Sequence, residues 1–88
     1  MVTFAAYVLY SKNYDKIYIG YTSDINRRLL DHNERARKGW TKHYRPWELL
    51  FSESFATKSE AIRREKQLKS AQGRKFIREE VFKKYGTS

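Results

Sequence analysis

The chain has no cysteine. That excludes disulfides and any thiolate-rich zinc site as devices for holding it together. The absence fits a reducing compartment, and so a cytoplasmic location. Long apolar runs are also missing. The one early apolar run, Phe4 to Leu9, is too short for a signal-peptide core or a membrane span, so no leader and no membrane partner is expected. Acidic residues are scarce relative to basic ones: ten Asp and Glu stand against nineteen Lys and Arg, a net charge of +9. Such an excess favours a polyanionic partner, with nucleic acid ahead of a membrane surface; the plainer use of the same charge is solubility. With 88 residues and no repeat, linker or low-complexity segment, a single domain over 1–88 is expected. A chain this short hides only about 60–65% of its unfolded surface, so its core is small.

What is present has a clear order. Residues 3 to 10, TFAAYVLY, read as a buried strand. Asn13 and Asp15 mark residues 11 to 15 as a turn, and residues 16 to 21 form a second strand, completing an antiparallel hairpin. Ser23 and Asp24 suit a helix N-cap, and a first helix is expected from Asp24 to Arg37, with Arg35, Arg37 and Lys38 near its end and Gly39 closing it. Residues 38 to 46, KGWTKHYRP, form a basic and aromatic loop that ends at the only proline. Residues 47 to 55 read as a third strand with Trp47, Leu49, Phe51 and Phe55 on one face. Thr57 and Glu60 have capping-box spacing and start a second helix at Lys58 that runs to Ser70. A break at Ala71-Gln72-Gly73 precedes a third helix, Arg74 to Tyr85, with Ile77, Val81 and Tyr85 as its apolar stripe and Gly86 as its stop. The order β-β-α-β-α-α predicts an α+β fold, a small three-stranded antiparallel sheet covered by helices.

The stretch Ile17 to Asn33, IYIGYTSDINRRLLDHN, concentrates the polar chemistry. Arg28 and His32 lie four apart and share a helical face, whereas Arg27 points about 100° away. Tyr18 comes from the preceding strand, and Gly20 lets a ligand backbone approach closely. Downstream, Glu65 falls inside the apolar stripe Ala61, Ile62, Leu68 rather than opposite it. A carboxylate there needs a positive partner. A largely hydrated Mg²⁺ ion held by one carboxylate would serve, and so would an i, i+4 salt bridge to Lys69; the pattern alone leaves the two open.

Tyr18-Ile19-Gly20 reads YIG, and Tyr7 stands eleven residues earlier, where the first half of a GIY-YIG signature would end. YIG-x-T-x-D and R-x-x-x-H follow. On these motifs the chain, from Tyr7 to about Lys69, resembles the GIY-YIG nuclease superfamily, in particular its small stand-alone members. The resemblance implies the same α+β core and a divalent-metal-dependent DNA endonuclease of weak sequence specificity, in DNA repair or recombination. It implies Tyr7 as the general base or water-positioning group, with Tyr18 holding the scissile phosphate. Nearby Arg28 and a metal would lower the tyrosine's pKa. It implies Arg28 as the residue that steadies the phosphate, His32 as a proton carrier or orienting group, and Glu65 as the ligand of one Mg²⁺ or Mn²⁺ ion. Arg27, Lys42 and Lys69 are the further candidates for contacts to the DNA backbone. Two departures stand out: Ala5-Ala6 occupy the Gly-Ile positions, and no asparagine follows Glu65. They support the alternative of a catalytically weak nucleic-acid-binding module of the same fold.

Overall fold

The computed structural model describes residues 3–35 and 39–85. The expected α+β fold is the one present: β1 (Phe4–Ser11), β2 (Lys16–Thr22) and β3 (Glu48–Phe55) form a three-stranded antiparallel sheet in the order β2-β1-β3. The central strand β1 is buried from Ala6 to Ser11, which is why it reads as a continuous apolar run rather than an alternation. The hairpin turn places Asp15 at φ 52°. Aspartate tolerates this left-handed region, and the Tyr10 hydroxyl donates to its carboxylate at 3.0 Å.

The two faces of the sheet carry different cores. Tyr7, Leu9 and Trp47 pack on one face with Tyr18, Tyr44 and the residues Ile25 and Leu29 of helix α1 (Ile25–Leu30). Ala6, Val8, Tyr10, Ile19 and Leu50 pack on the other with Leu68, Ile77 and Val81. These last three come from the C-terminal helices: α2 (Lys58–Lys69), α3 (Ala71–Phe76), a π-helical turn at Ile77–Val81 and α4 (Phe82–Tyr85).

Asp24 caps α1, accepting from the Arg27 N–H at 3.1 Å, and the capping box of α2 is complete, with Thr57 and Glu60 bonded reciprocally. The alternation expected along β3 fails. Val8 pairs with Phe51 but Leu9 with Leu49, so Leu50 is an extra, bulged residue. The bulge turns Leu50 inward (5% exposed) and leaves Leu49 outside (41%). Trp47 precedes the strand and packs on the opposite face. The break between the C-terminal helices also differs from the one expected at residues 71 to 73. It is the single residue Ser70, which ends α2 in extended backbone and caps α3 by accepting from the Gly73 N–H at 3.1 Å. Gly73 lies inside α3, and a Cβ there would meet the Gln67 carbonyl oxygen at 2.0 Å and the Leu68 Cα at 2.5 Å, so this close approach to the end of α2 needs glycine. Ile77 and Val81 are buried as expected. The expected helix end at Arg37 and Lys38, the Tyr85 side chain and the Gly86 stop lie outside the described residues.

Residues 39 to 47 are more ordered than a loop. Trp40–Tyr44 forms a 3₁₀ helix. Asn33 grips the Trp47 backbone, donating to its carbonyl at 2.8 Å and accepting from its N–H at 2.5 Å. The Trp47 indole donates to the Thr41 carbonyl at 2.8 Å, and the Ser11 hydroxyl donates to the Tyr44 carbonyl at 2.6 Å. The segment is thereby pinned over the end of the sheet beside α1.

Candidate active site

Tyr7 on β1, Tyr18, Gly20, Tyr21 and Thr22 on β2, Arg28 on α1 and Glu65 on α2 line one cavity of about 280 Å³. Four elements, two strands and two helices, deliver these groups. The hairpin register sets Tyr7 opposite Gly20. A Cβ at Gly20 would stand 2.7 Å from the Tyr7 hydroxyl oxygen and 2.9 Å from the ring carbon that carries it. The space that the sequence reading assigns to a ligand backbone is therefore filled by the protein's own phenol. Gly20 is small so that Tyr7 can reach the cavity.

Arg28 lines this cavity and Arg27 does not. Arg27 is exposed on α1. The Arg28 guanidinium is held in its charged form chiefly by the Tyr7 hydroxyl, and also by Tyr18. Tyr7 is 1% exposed, and burial pushes its phenol up to about 12. Arg28 pulls the other way, while the charges of Tyr18 and Glu65 add to the rise. The lowering expected of Arg28 is present, but burial outweighs it. Tyr7 in this state is a neutral hydroxyl at pH 7, able both to donate and to accept.

His32 does not line the cavity. It is buried behind Tyr7, with Nε2 3.4 Å from the Tyr7 hydroxyl and Nδ1 3.2 Å from the Thr41 hydroxyl. It stands in the π-helical turn Asp31–Arg35 that follows α1, within reach of the Arg28 charge. The imidazole pKa is lowered, first by burial and then by the Arg28 charge, with Arg45 adding to the effect and Asp31 opposing it. A neutral ring between two hydroxyls makes a continuous chain Tyr7–His32–Thr41 from the cavity into the interior. Thr41, 5% exposed, is the member that sequence reasoning missed. Nothing in its residue type marks it out, because its place depends on the fold of residues 39 to 47.

Glu65 offers the cavity its carboxylate; its side chain is 15% exposed and pairs with Lys69 at 3.5 Å. Both readings of this residue are thus physically present: it is ion-paired, and it faces the cavity. Among the described residues no three His, Cys, Asp or Glu side chains gather into a ligand cage. One hard carboxylate on an open, polar cavity suits a Mg²⁺ or Mn²⁺ ion that keeps most of its water, and does not suit a fully protein-ligated metal. Lys69 is half exposed at the end of α2 next to the cavity, whereas Lys42, exposed on the 3₁₀ helix, does not line it.

A protein-family model described as the GIY-YIG catalytic domain matches residues 4–78. The chain is 41% identical over 58 residues to a UPF0213 protein of Staphylococcus epidermidis, covering 66% of this chain and 71% of that one. It is 39% identical over 62 residues to a UPF0213 protein of Staphylococcus saprophyticus, covering 70% and 76%. To the UPF0213 protein YazA of Bacillus subtilis it is 48% identical over 48 residues, covering 54% and 48%. Its fold is similar to a solution NMR structure of a UPF0213 protein from Bacillus halodurans, with a TM-score of 0.54 and 29% identity over 97% of this chain and 88% of that one. No helix among the described residues is long and apolar enough to cross a membrane.

Proposed function

This chain belongs to the GIY-YIG family, and on that premise we propose that it is a divalent-metal-dependent DNA endonuclease, acting as a single domain over residues 1–88 and with little sequence preference. The family is nuclease-type, which makes nucleic acid the substrate class; DNA, the metal and a setting in repair or recombination are our reading. The observation that carries it is the cavity itself, where Tyr7, Tyr18, Arg28 and Glu65, from four separate elements, line one space.

Arg28 takes the scissile phosphate. Its planar fork makes bidentate contacts to non-bridging oxygens, and its charge meets the negative charge that grows during displacement. Tyr18 donates to the same phosphate from β2. Tyr7 places the attacking water, and its proton acceptor is His32: with Nδ1–H donated to Thr41, Nε2 is free to accept from the Tyr7 hydroxyl, and Tyr7 in turn accepts from water. This relay spares Tyr7 from existing as a free phenolate at neutral pH, which its raised pKa disfavours. Glu65 would hold the Mg²⁺ or Mn²⁺ ion, which when bound stabilises charge on the leaving 3′ oxygen. Lys69, Lys42 and Arg27 contribute backbone attraction, so affinity is read from charge more than from base sequence.

The raised phenol pKa, together with Ala5-Ala6 at the start of the first motif, favours a second reading: a module of this fold that binds nucleic acid and cleaves it weakly. Incubation with single-stranded, duplex and branched DNA, with and without Mg²⁺ or Mn²⁺, separates them. Metal-dependent cleavage is expected. Tight binding with no cleavage under any condition overturns the enzyme in favour of the module.

A further inference from the structure

A second cavity, of about 170 Å³, opens beside the first and is lined by Ile17, Tyr18, Ile19, Trp40, Lys69 and Arg74. The two are linked twice: Tyr18 lines both, and Glu65 of the first is paired with Lys69 of the second. Trp40 is the unusual residue. It is 45% exposed, and its ring is braced by Tyr18 at 5.9 Å, Tyr44 at 5.7 Å and Trp47 at 5.6 Å between centroids. A large aromatic ring fixed from several sides and still open on one is preorganised to take a flat partner. Across the cavity the charge is cationic. Lys69 is half exposed, and Arg74 donates one Nε–H to the Lys69 carbonyl at 3.2 Å, which holds its guanidinium in place.

We propose that this second cavity is a subsite for one unpaired nucleobase, stacked on Trp40, with the adjoining backbone phosphate on Lys69 and Arg74. A stacked base and its phosphate need a π-face and cations within one nucleotide's reach, and this cavity supplies both. Its place next to the cavity that takes the scissile phosphate makes it the seat of the neighbouring nucleotide. A base paired within an intact duplex cannot present its face to Trp40. The subsite therefore selects DNA that is single-stranded, frayed or branched at the cut. This inference rests on the proposed nuclease reading of the first cavity.

The test is binding without divalent ions of a labelled oligothymidylate and of the matching duplex, to the native chain, Trp40→Ala, Trp40→Phe and Arg74→Gln. Stacking is worth about 1–3 kcal/mol per base, so the ratio of single-strand to duplex affinity should fall roughly 5- to 150-fold in Trp40→Ala, and less in Trp40→Phe. Arg74→Gln should lower the salt slope for the single strand by about one. The chain has two tryptophans, so Trp40→Phe leaves Trp47 as the sole emitter. Single-strand binding should quench emission in the native chain and not in Trp40→Phe. An unchanged affinity ratio in a folded Trp40→Ala, or quenching that persists in Trp40→Phe, overturns the subsite; if Trp40→Ala does not fold, the emission arm decides. Failure of the nuclease reading looks different: the native chain then binds DNA but cleaves none with Mg²⁺ or Mn²⁺, whatever the Trp40 variants do to the affinity ratio and the emission.

Discussion

Replacing Gly20 by alanine should damage the site out of proportion to the one methyl group added. The new Cβ would meet the Tyr7 hydroxyl oxygen at 2.7 Å, its ring carbon at 2.9 Å and Tyr18 Cε1 at 3.0 Å, whereas ordinary contact begins near 3.4 Å. Tyr7 must therefore retreat by about 0.7 Å, the difference between 3.4 and 2.7 Å. It has little room, being 1% exposed on the central strand. Overpacking of this kind costs about 1–3 kcal/mol. For a domain of this size that lowers Tm by roughly 5–20 °C. The Tyr7–His32 contact, already 3.4 Å, has no slack to absorb the shift. Misplacement near 1 Å costs about 10²-fold in rate, so cleavage by the folded fraction should drop by about that factor. Thermal unfolding followed by circular dichroism, with cleavage measured well below Tm, checks both effects. A Gly20→Ala protein with native Tm and native cleavage would refute the reasoning, because Tyr7 could then not occupy the position on which the cavity depends.

Arg28→Ala should lose on the order of 10²–10³ in cleavage rate with a modest loss of binding, Arg27→Ala should lose little of either, and Arg28→Lys should not rescue, because a point charge cannot replace a planar fork; parallel cleavage and binding assays check this. Arg63, Lys66, Lys69, Arg74 and Lys75 are exposed, while Arg64 is tied to Glu53 at 2.6 Å and drops out of the basic surface. With about four phosphates neutralised, log K should fall against log salt with a slope of about −3 to −4, as titration at several salt concentrations will show. The lowered pKa of His32 means that the unfolded chain takes up its proton first as pH falls below about 6.5, so stability contributed by the neutral ring is present above that pH and lost below it, as urea unfolding from pH 8 to 5 will show. Cleavage should lose an acid limb at a pH below the ordinary histidine range, since protonated Nε2 no longer accepts from Tyr7; a pH–rate profile checks it.

Local signals carried much of the fold. The capping box at Thr57 and Glu60, the Asp24 cap, the apolar β1 run and the Ile77–Val81 stripe each act within a few residues, and each is where the sequence places it. The features that escaped depend on what a residue meets from elsewhere in the chain. The β3 bulge at Leu50 answers to pairing with β1, and the packing of α3 at Gly73 answers to the end of α2. The site divides in the same way. Tyr7, Tyr18, Arg28 and Glu65 are legible as types at motif spacings. The role of Gly20 in making room for Tyr7, the place of His32 behind it and its Thr41 partner are not, because they follow from strand register and the folded 39–47 segment.

Glu65 faces the cavity and is also ion-paired to Lys69. The most direct measurement is metal-dependent cleavage and DNA binding by Glu65→Gln, with its unfolding free energy measured alongside. The i, i+4 pair with Lys69 is worth only about 0.3–0.5 kcal/mol, so the variant should fold almost as well as the native chain. Removing one negative charge should leave DNA binding equal or tighter, and cleavage should be abolished at all Mg²⁺ and Mn²⁺ concentrations. A variant that unfolds easily yet cleaves normally in its folded fraction would contradict the account and make Glu65 a structural residue.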